Sequence, residues 1–178
     1  MREPNVSSFD EAGRLHALGT YWQSRAAQGR LPGQDILDPL SLRPWLGHLL
    51  LVDVLPGGTD FVYRLYGTNV ADTFGQDMTG QSPQGFPAHH IDIIVAPYRT
   101  VVADRALRYT AHILSIDERK FAAWERVILP IANAADAVSQ LLVGLYRVRV
   151  TDYARYRASL VSVGVAPAIT AEPEGAFL

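Results

Sequence analysis

Apolar residues recur along this chain with two periods, and the switches between them mark out the elements. Leu15, Leu18 and Trp22 fall at helical spacing behind Ser8-Phe9-Asp10-Glu11, whose Ser and Glu stand as in a capping box. A helix is therefore predicted to about Gln28, stopped by Gly29. Gly13 and Gly19 each weaken it by about 1 kcal/mol against Ala, so it must pack on something. Arg30–Gly47 contains Pro32, Pro39 and Pro44 and reads as turns and very short helices. Leu49–Leu55 is a continuous apolar run closed by Pro56-Gly57-Gly58. In Asp60–Tyr66, Phe61, Tyr63 and Leu65 alternate with Val62, Arg64 and Tyr66, so the two segments read as a hairpin with both faces covered.

Gly67-Thr68-Asn69 breaks that strand and offers N-cap oxygens to a helix from near Val70 to Gly75, with a turn at Thr79-Gly80. Gln81–Ala88 reads as loop. Over His89–Arg105, Ile91, Ile94, Val95, Tyr98, Val101 and Val102 keep helical spacing. Pro97 interrupts them, which predicts a kink or a new helix starting there. Three strands follow, at about Ala106–Ile116, Phe121–Pro130 and Gln140–Val148, then a short helix over Asp152–Leu160. The remainder, Val161–Leu178, alternates weakly and is expected to be mobile.

The run DFVYRLYGTNVADTFGQDMTG at 60–80 resembles the second strand and first helix of a PAS domain. There an Asn-x-Ala step opens the helix and a Thr-Gly pair follows it; here these are Asn69, Ala71, Thr79 and Gly80. Further pieces lie in order along the chain: Trp22, Gly29-Arg30-Leu31-Pro32, Asp35-Ile36, Pro39, Trp45-Leu46-Gly47-His48, Phe74-Gly75-Gln76-Asp77, Trp124-Glu125-Arg126, Leu129-Pro130 and Leu142-Val143-Gly144. They are similar to a bacterial PAS subfamily found mostly as single-domain proteins of undefined role. The resemblance implies an α+β fold: a five-stranded antiparallel sheet with helices over one face and an extra N-terminal helix. It divides the chain into an N-terminal helix (1–30), a PAS domain (31–150) and a C-terminal helix with a flexible tail (151–178). The implied role is a non-catalytic sensor or adaptor in signal transduction that binds a small molecule, a protein partner, or both. No kinase, cyclase or DNA-binding segment follows, so output is expected to pass through a partner in trans or through a homodimer.

Composition narrows this further. The chain has 178 residues, an apolar fraction of 48% and a net charge of −2, which fits one globular domain and gives no long-range attraction to nucleic acid or anionic membrane. It has no cysteine, which excludes disulfides, thiolate zinc sites, cysteine nucleophiles and a cysteinyl-flavin adduct, and is compatible with a cytoplasmic location. The first residues, MREPNVSSFDEAG, are polar and acidic with no signal-peptide apolar region, and no segment reaches the roughly 18 apolar residues of a membrane span.

Several side chains are candidates for a site. Arg64, on a strand between aromatic neighbours, is costly to bury unpaired. It either grips a ligand carboxylate or phosphate, or forms an internal ion pair with Asp77 or Glu125. Tyr66, Tyr98, His112 and Trp124 would line an apolar ligand pocket with polar tips, or else be plain core. On a strand, Glu125 points away from Trp124 and Arg126. Glu125 and His112 are the candidates for an acid–base pair if the chain is instead a small cone-shaped α+β enzyme. Some PAS domains hold haem through a histidine on the helix that His89-His90 begins. Adjacent helical residues diverge by about 100°, so one at most could ligate, and an exposed helix start is the simpler reading. His16 and His48 have no partner at metal-ligand spacing. Leu15, Leu18 and Trp22 would form either an intramolecular cover or a dimer interface.

Overall fold

The computed structural model describes residues 3–27, 29–117 and 119–171. Its strands are β1 (Asn5–Val6), β2 (Leu49–Val54), β3 (Phe61–Tyr66), β4 (Arg108–Asp117), β5 (Lys120–Ala132), β6 (Val138–Val150) and β7 (Ala168–Ala171). Its α-helices are α1 (Arg14–Arg25), α2 (Pro39–Leu42), α3 (Thr68–Phe74), α4 (Ala88–Asp104) and α5 (Tyr153–Ser162). All strands join one sheet in the order β3-β2-β6-β5-β4-β7, with β1 beside β6. The five strands from β2 to β6 pair antiparallel, as expected. Two short strands add to them in parallel: β1 pairs with Arg149 and Val150, and β7 with His112 to Ser115. β7 lies in the stretch expected to be mobile; residues 172–178 of that stretch fall outside the described residues. Among the described residues no helix is long and apolar enough to cross a membrane.

α3 and α4 cover one face of the sheet, where Val70, Val95, Tyr98 and Val101 pack on Leu50, Tyr63 and Val143. α1, α2 and α5 cover the other face, where Leu15, Leu18, Tyr156 and Leu160 pack on Ala123, Val127 and Leu142. Strand alternation divides the two sets.

The N-terminal helix begins later than the capping-box spacing implies. Glu11 accepts from the amides of Ser7 (2.7 Å) and Ser8 (3.2 Å), so the box closes a turn ahead of the helix. The carboxylate of Asp10 instead takes the amides of Leu15 (3.0 Å) and His16 (2.8 Å), the free donors of the first helical turn. Leu15, Leu18 and Trp22 are buried within the chain, and the Trp22 indole donates to the Pro130 carbonyl at 2.8 Å. Gly144 makes the contact possible, since a Cβ there would lie 2.7 Å from Leu18 Cδ2. This corrects the expected dimer interface: the three side chains are spent on the sheet, at about 1.5–3 kcal/mol each, and present no surface to a second subunit.

α3 departs from its expected cap. Neither Thr68 nor Asn69 caps it by side chain; the Gly47 carbonyl accepts from the Asn69 (2.9 Å) and Val70 (3.3 Å) amides. The Asn69 side chain turns to His48 Nε2, at 2.9 Å. α4 runs unbroken through Pro97.

Simple alternation also fails at one point in β3. The β2–β3 register pairs Leu51 with Leu65 but Val52 with Tyr63, so Arg64 is the extra residue of a β-bulge. Beyond the bulge the faces exchange. Tyr66 joins Tyr63 on the α4 side, and Arg64 is left outside.

Candidate functional site

Between α4 and the sheet lies a cavity of about 60 Å³. At about 15 Å³ per enclosed water it has room for around four. β3 contributes Tyr63 and Tyr66, α3 Phe74, and the turn ahead of α4 Phe86. The rings interlock: Trp124 stacks on Phe74 with centroids 4.5 Å apart and planes 4° from parallel, and Tyr63 meets Tyr66 edge-on at 5.1 Å. Such pairs add about 0.5–1.5 kcal/mol beyond area burial, so the wall is a rigid aromatic shell.

One charge enters this shell. Arg126 on β5 is 6% exposed and lines the cavity. Its Nε donates to Thr110 Oγ1 at 2.8 Å and its Nη2 to the Ile93 carbonyl at 2.9 Å. Its guanidinium carbon also lies 6.0 Å from the Tyr98 ring centre. Among the described residues all these partners are neutral. Burial pushes the guanidinium below its usual range, against the pull of the two tyrosines. Burial likewise raises the Tyr63 and Tyr98 hydroxyls. His112, opposite Trp124 across the β4–β5 ladder, is pushed down to about 4 by burial first and then by the nearby Arg126 guanidinium and His90 ring, so it is neutral at pH 7.

Four of the residues singled out from sequence meet here: Tyr66, Tyr98, His112 and Trp124 all line the cavity. Arg64 does not, which corrects both roles expected of it. The bulge turns it outward, where it pairs with Asp53 on β2 at 2.7 Å. Asp77 is occupied elsewhere, accepting from the amide (2.8 Å) and hydroxyl (2.7 Å) of Thr79 in the turn after α3. Glu125 lies on the opposite face, 3% exposed, and accepts the Tyr156 hydroxyl of α5 at 2.9 Å. Burial raises its carboxyl to about 7, opposed by the Tyr156 bond and the Asp10 amide. The acid–base pair proposed for a cone-shaped enzyme is therefore divided by the sheet: Ala111 pairs with Glu125, and the next residue, His112, faces the cavity. His90 also lines the cavity, with its ring 6.4 Å from that of His112. Among the described residues no three His, Asp or Glu side chains converge as metal ligands.

Sequence reading overlooked Arg126 as the cavity cation, though a signal was present. It stands two residues from Trp124 on a strand and must share its face. Phe74 and Phe86 gave no such signal, because their placement depends on how the helix and loop fold over the sheet.

A second, open groove of about 590 Å³ lies along β6 where β2 has ended and β1 has not begun. Arg14, His48, Asn69 and Tyr146 line it. His48 stacks on Tyr146 at 4.1 Å, and Arg14 sits 4.2 Å over the same ring. Trp124 and Leu145 belong to both spaces and form the wall between them.

The sequence profile of the PAS domain family matches residues 12–147. No curated protein matches the chain. Among solved structures, one titled as an RNA-binding light-oxygen-voltage receptor aligns at 15% identity and a TM-score of 0.43. The alignment covers 78% of this chain and 39% of the receptor chain, so the chain spans well under half of that protein. With the profile covering most of the chain, and the antiparallel sheet, α3 and α4 arranged as the motifs at 60–80 imply, the chain belongs to the PAS domain family.

Proposed function

We propose that this chain is a non-catalytic, cytoplasmic sensor or adaptor that takes a small molecule into the cavity between α4 and the sheet. One observation carries the reading: a buried arginine with neutral partners projects into a space otherwise walled by aromatic and aliphatic side chains. Ligand sites combine apolar walls with a few convergent polar groups in this way. Binding would act by shifting populations among arrangements of α3 and α4 over the sheet. Rotation of Trp124 off Phe74 would join the cavity to the open groove and admit a longer ligand.

The modest cavity volume favours a second reading, an interaction module whose ligand is another protein. Native mass spectrometry of freshly purified protein, repeated after denaturation and paired with an absorption spectrum, separates the two. A bound mass lost on denaturation supports small-molecule sensing. Bare protein with no visible band favours the interaction module. A dimer in the same spectrum would have to form through a surface other than Leu15, Leu18 and Trp22.

A further inference from the structure

We propose that the cavity ligand is a small carboxylate anion held by the Arg126 guanidinium. The inference rests on the ligand-binding reading above and names the class of ligand. Arginine carries five N–H donors, and the bonds to Thr110 and Ile93 use two. Three remain, and Arg126 lines the cavity, so an acceptor there has donors to meet; a carboxylate takes two of them from a guanidinium fork.

Charge argues the same way. A buried cation with only neutral partners is held at a cost, and its lowered pKa reflects that cost. An anion relieves it and a neutral ligand does not. Of the other polar groups in the cavity, His112 is neutral and the tyrosine hydroxyls are held protonated, so none of these supplies the charge. Size selects within the class. About 60 Å³, close to four water-sized positions, suits acetate or propionate, with the short apolar end against Phe74, Phe86 and Trp124.

The test is a titration with acetate and propionate at fixed ionic strength, against propionamide, chloride and sulfate, read by isothermal calorimetry and melting temperature. The Arg126 Nε–H signal in ¹⁵N NMR of the wild type is followed alongside. Saturable binding of a carboxylate but not of propionamide, with a shift of the Arg126 signal, is expected. Arg126→Lys, which keeps the charge and loses the fork, is expected to weaken binding at least tenfold. The NMR arm decides the matter if that variant does not fold. Equal binding of propionamide, or a neutral bound mass in native spectra, would overturn the anion inference and leave the sensing reading standing. Equal stabilisation by chloride or sulfate would overturn it too. No binding of any probe, together with no co-purifying mass, would overturn both.

Discussion

Arg126 supplies the hydrogen bond that Pro97 withholds. In an uninterrupted helix the residue at 97 would donate to the carbonyl of Ile93, but proline has no N–H. The guanidinium of Arg126 reaches across from β5 and donates to that carbonyl at 2.9 Å. An interior proline costs a helix about 3 kcal/mol, partly through this orphaned acceptor, and a bond from a charged donor returns about 1.5–3 kcal/mol. That exchange explains why α4 continues from Ala88 to Asp104 without ending at Pro97. It also fixes the cavity's cation to the helix that would move on binding.

The link predicts non-additivity. Pro97→Ala restores a backbone donor for Ile93, so Arg126→Gln should cost less in that background than in the wild type. Urea unfolding of the four proteins should give a coupling of about 0.5–3 kcal/mol. Additivity within about 0.3 kcal/mol would remove the physical connection between the two residues.

Two buried groups on opposite faces should oppose each other in pH dependence. Glu125 has its folded pKa raised from 4.5 to about 7, so the stability it contributes is complete below about 4.5 and is lost as pH rises to 7. Its neighbours are Tyr156, Asp10 and Arg14. His112 has its folded pKa lowered from 6.5 to about 4, so its contribution is present above 6.5 and is lost as pH falls. Across the shared window the two slopes cancel, and the wild type should be nearly flat. Glu125→Gln should expose the histidine and lose stability from pH 7 to pH 5. His112→Gln should expose the carboxyl and lose on the order of 3 kcal/mol from pH 5 to pH 8. Denaturant midpoints at four pH values suffice, and variants that both keep the wild-type profile would contradict the assignment.

Arg64 shows where the sequence stops being legible. Straight alternation puts it on the same face as Tyr66, and the strand alone left both a ligand grip and an internal ion pair open to it. The bulge reverses that, and a bulge is set by pairing with a strand distant in sequence, which β3 alone does not encode. The helices α3 to α5, the strands β2 to β6 and the opposed directions of Glu125 and Trp124 followed from local periodicity. The partners of Arg64, Asp77 and Glu125 did not, because each depends on tertiary register. Arg64→Ala, removing an exposed ion pair with Asp53, should therefore leave the melting temperature close to wild type and ligand occupancy unchanged. Loss of a co-purifying ligand in that variant would return Arg64 to the site.

The cover formed by α1 gives a larger effect. Trp22 is 7% exposed, packs on the sheet and donates to Pro130. Trp22→Ala should cost about 3–5 kcal/mol by cavity formation and leave the Pro130 carbonyl without this donor. Were the helix instead a dimer seam, dilution of the wild type would lower its stability. The midpoint should instead be independent of protein concentration.

Gly67 carries the last prediction, and conformation is not its reason. Its φ of −59° and ψ of 141° suit any residue. What demands glycine is the approach of the chain before β2: a Cβ at 67 would lie 2.7 Å from the Gly47 carbonyl carbon and 2.8 Å from the Leu49 carbonyl oxygen. Those are backbone atoms and cannot swing aside as a side-chain tip can. The same Gly47 carbonyl holds the first amides of α3, so pushing it off also uncaps the helix that carries Phe74 to the cavity. Gly67→Ala should cost about 2–4 kcal/mol in urea unfolding, as overpacking of 1–3 kcal/mol plus the lost cap of about 1 kcal/mol. It should also change the fluorescence of Trp124 by loosening its stack on Phe74, read as the difference from a Trp124→Phe control. A Gly67→Ala protein with wild-type stability and an unchanged tryptophan signal would mean that the turn between β3 and α3 yields freely, and that α3 is not held in place by Gly47.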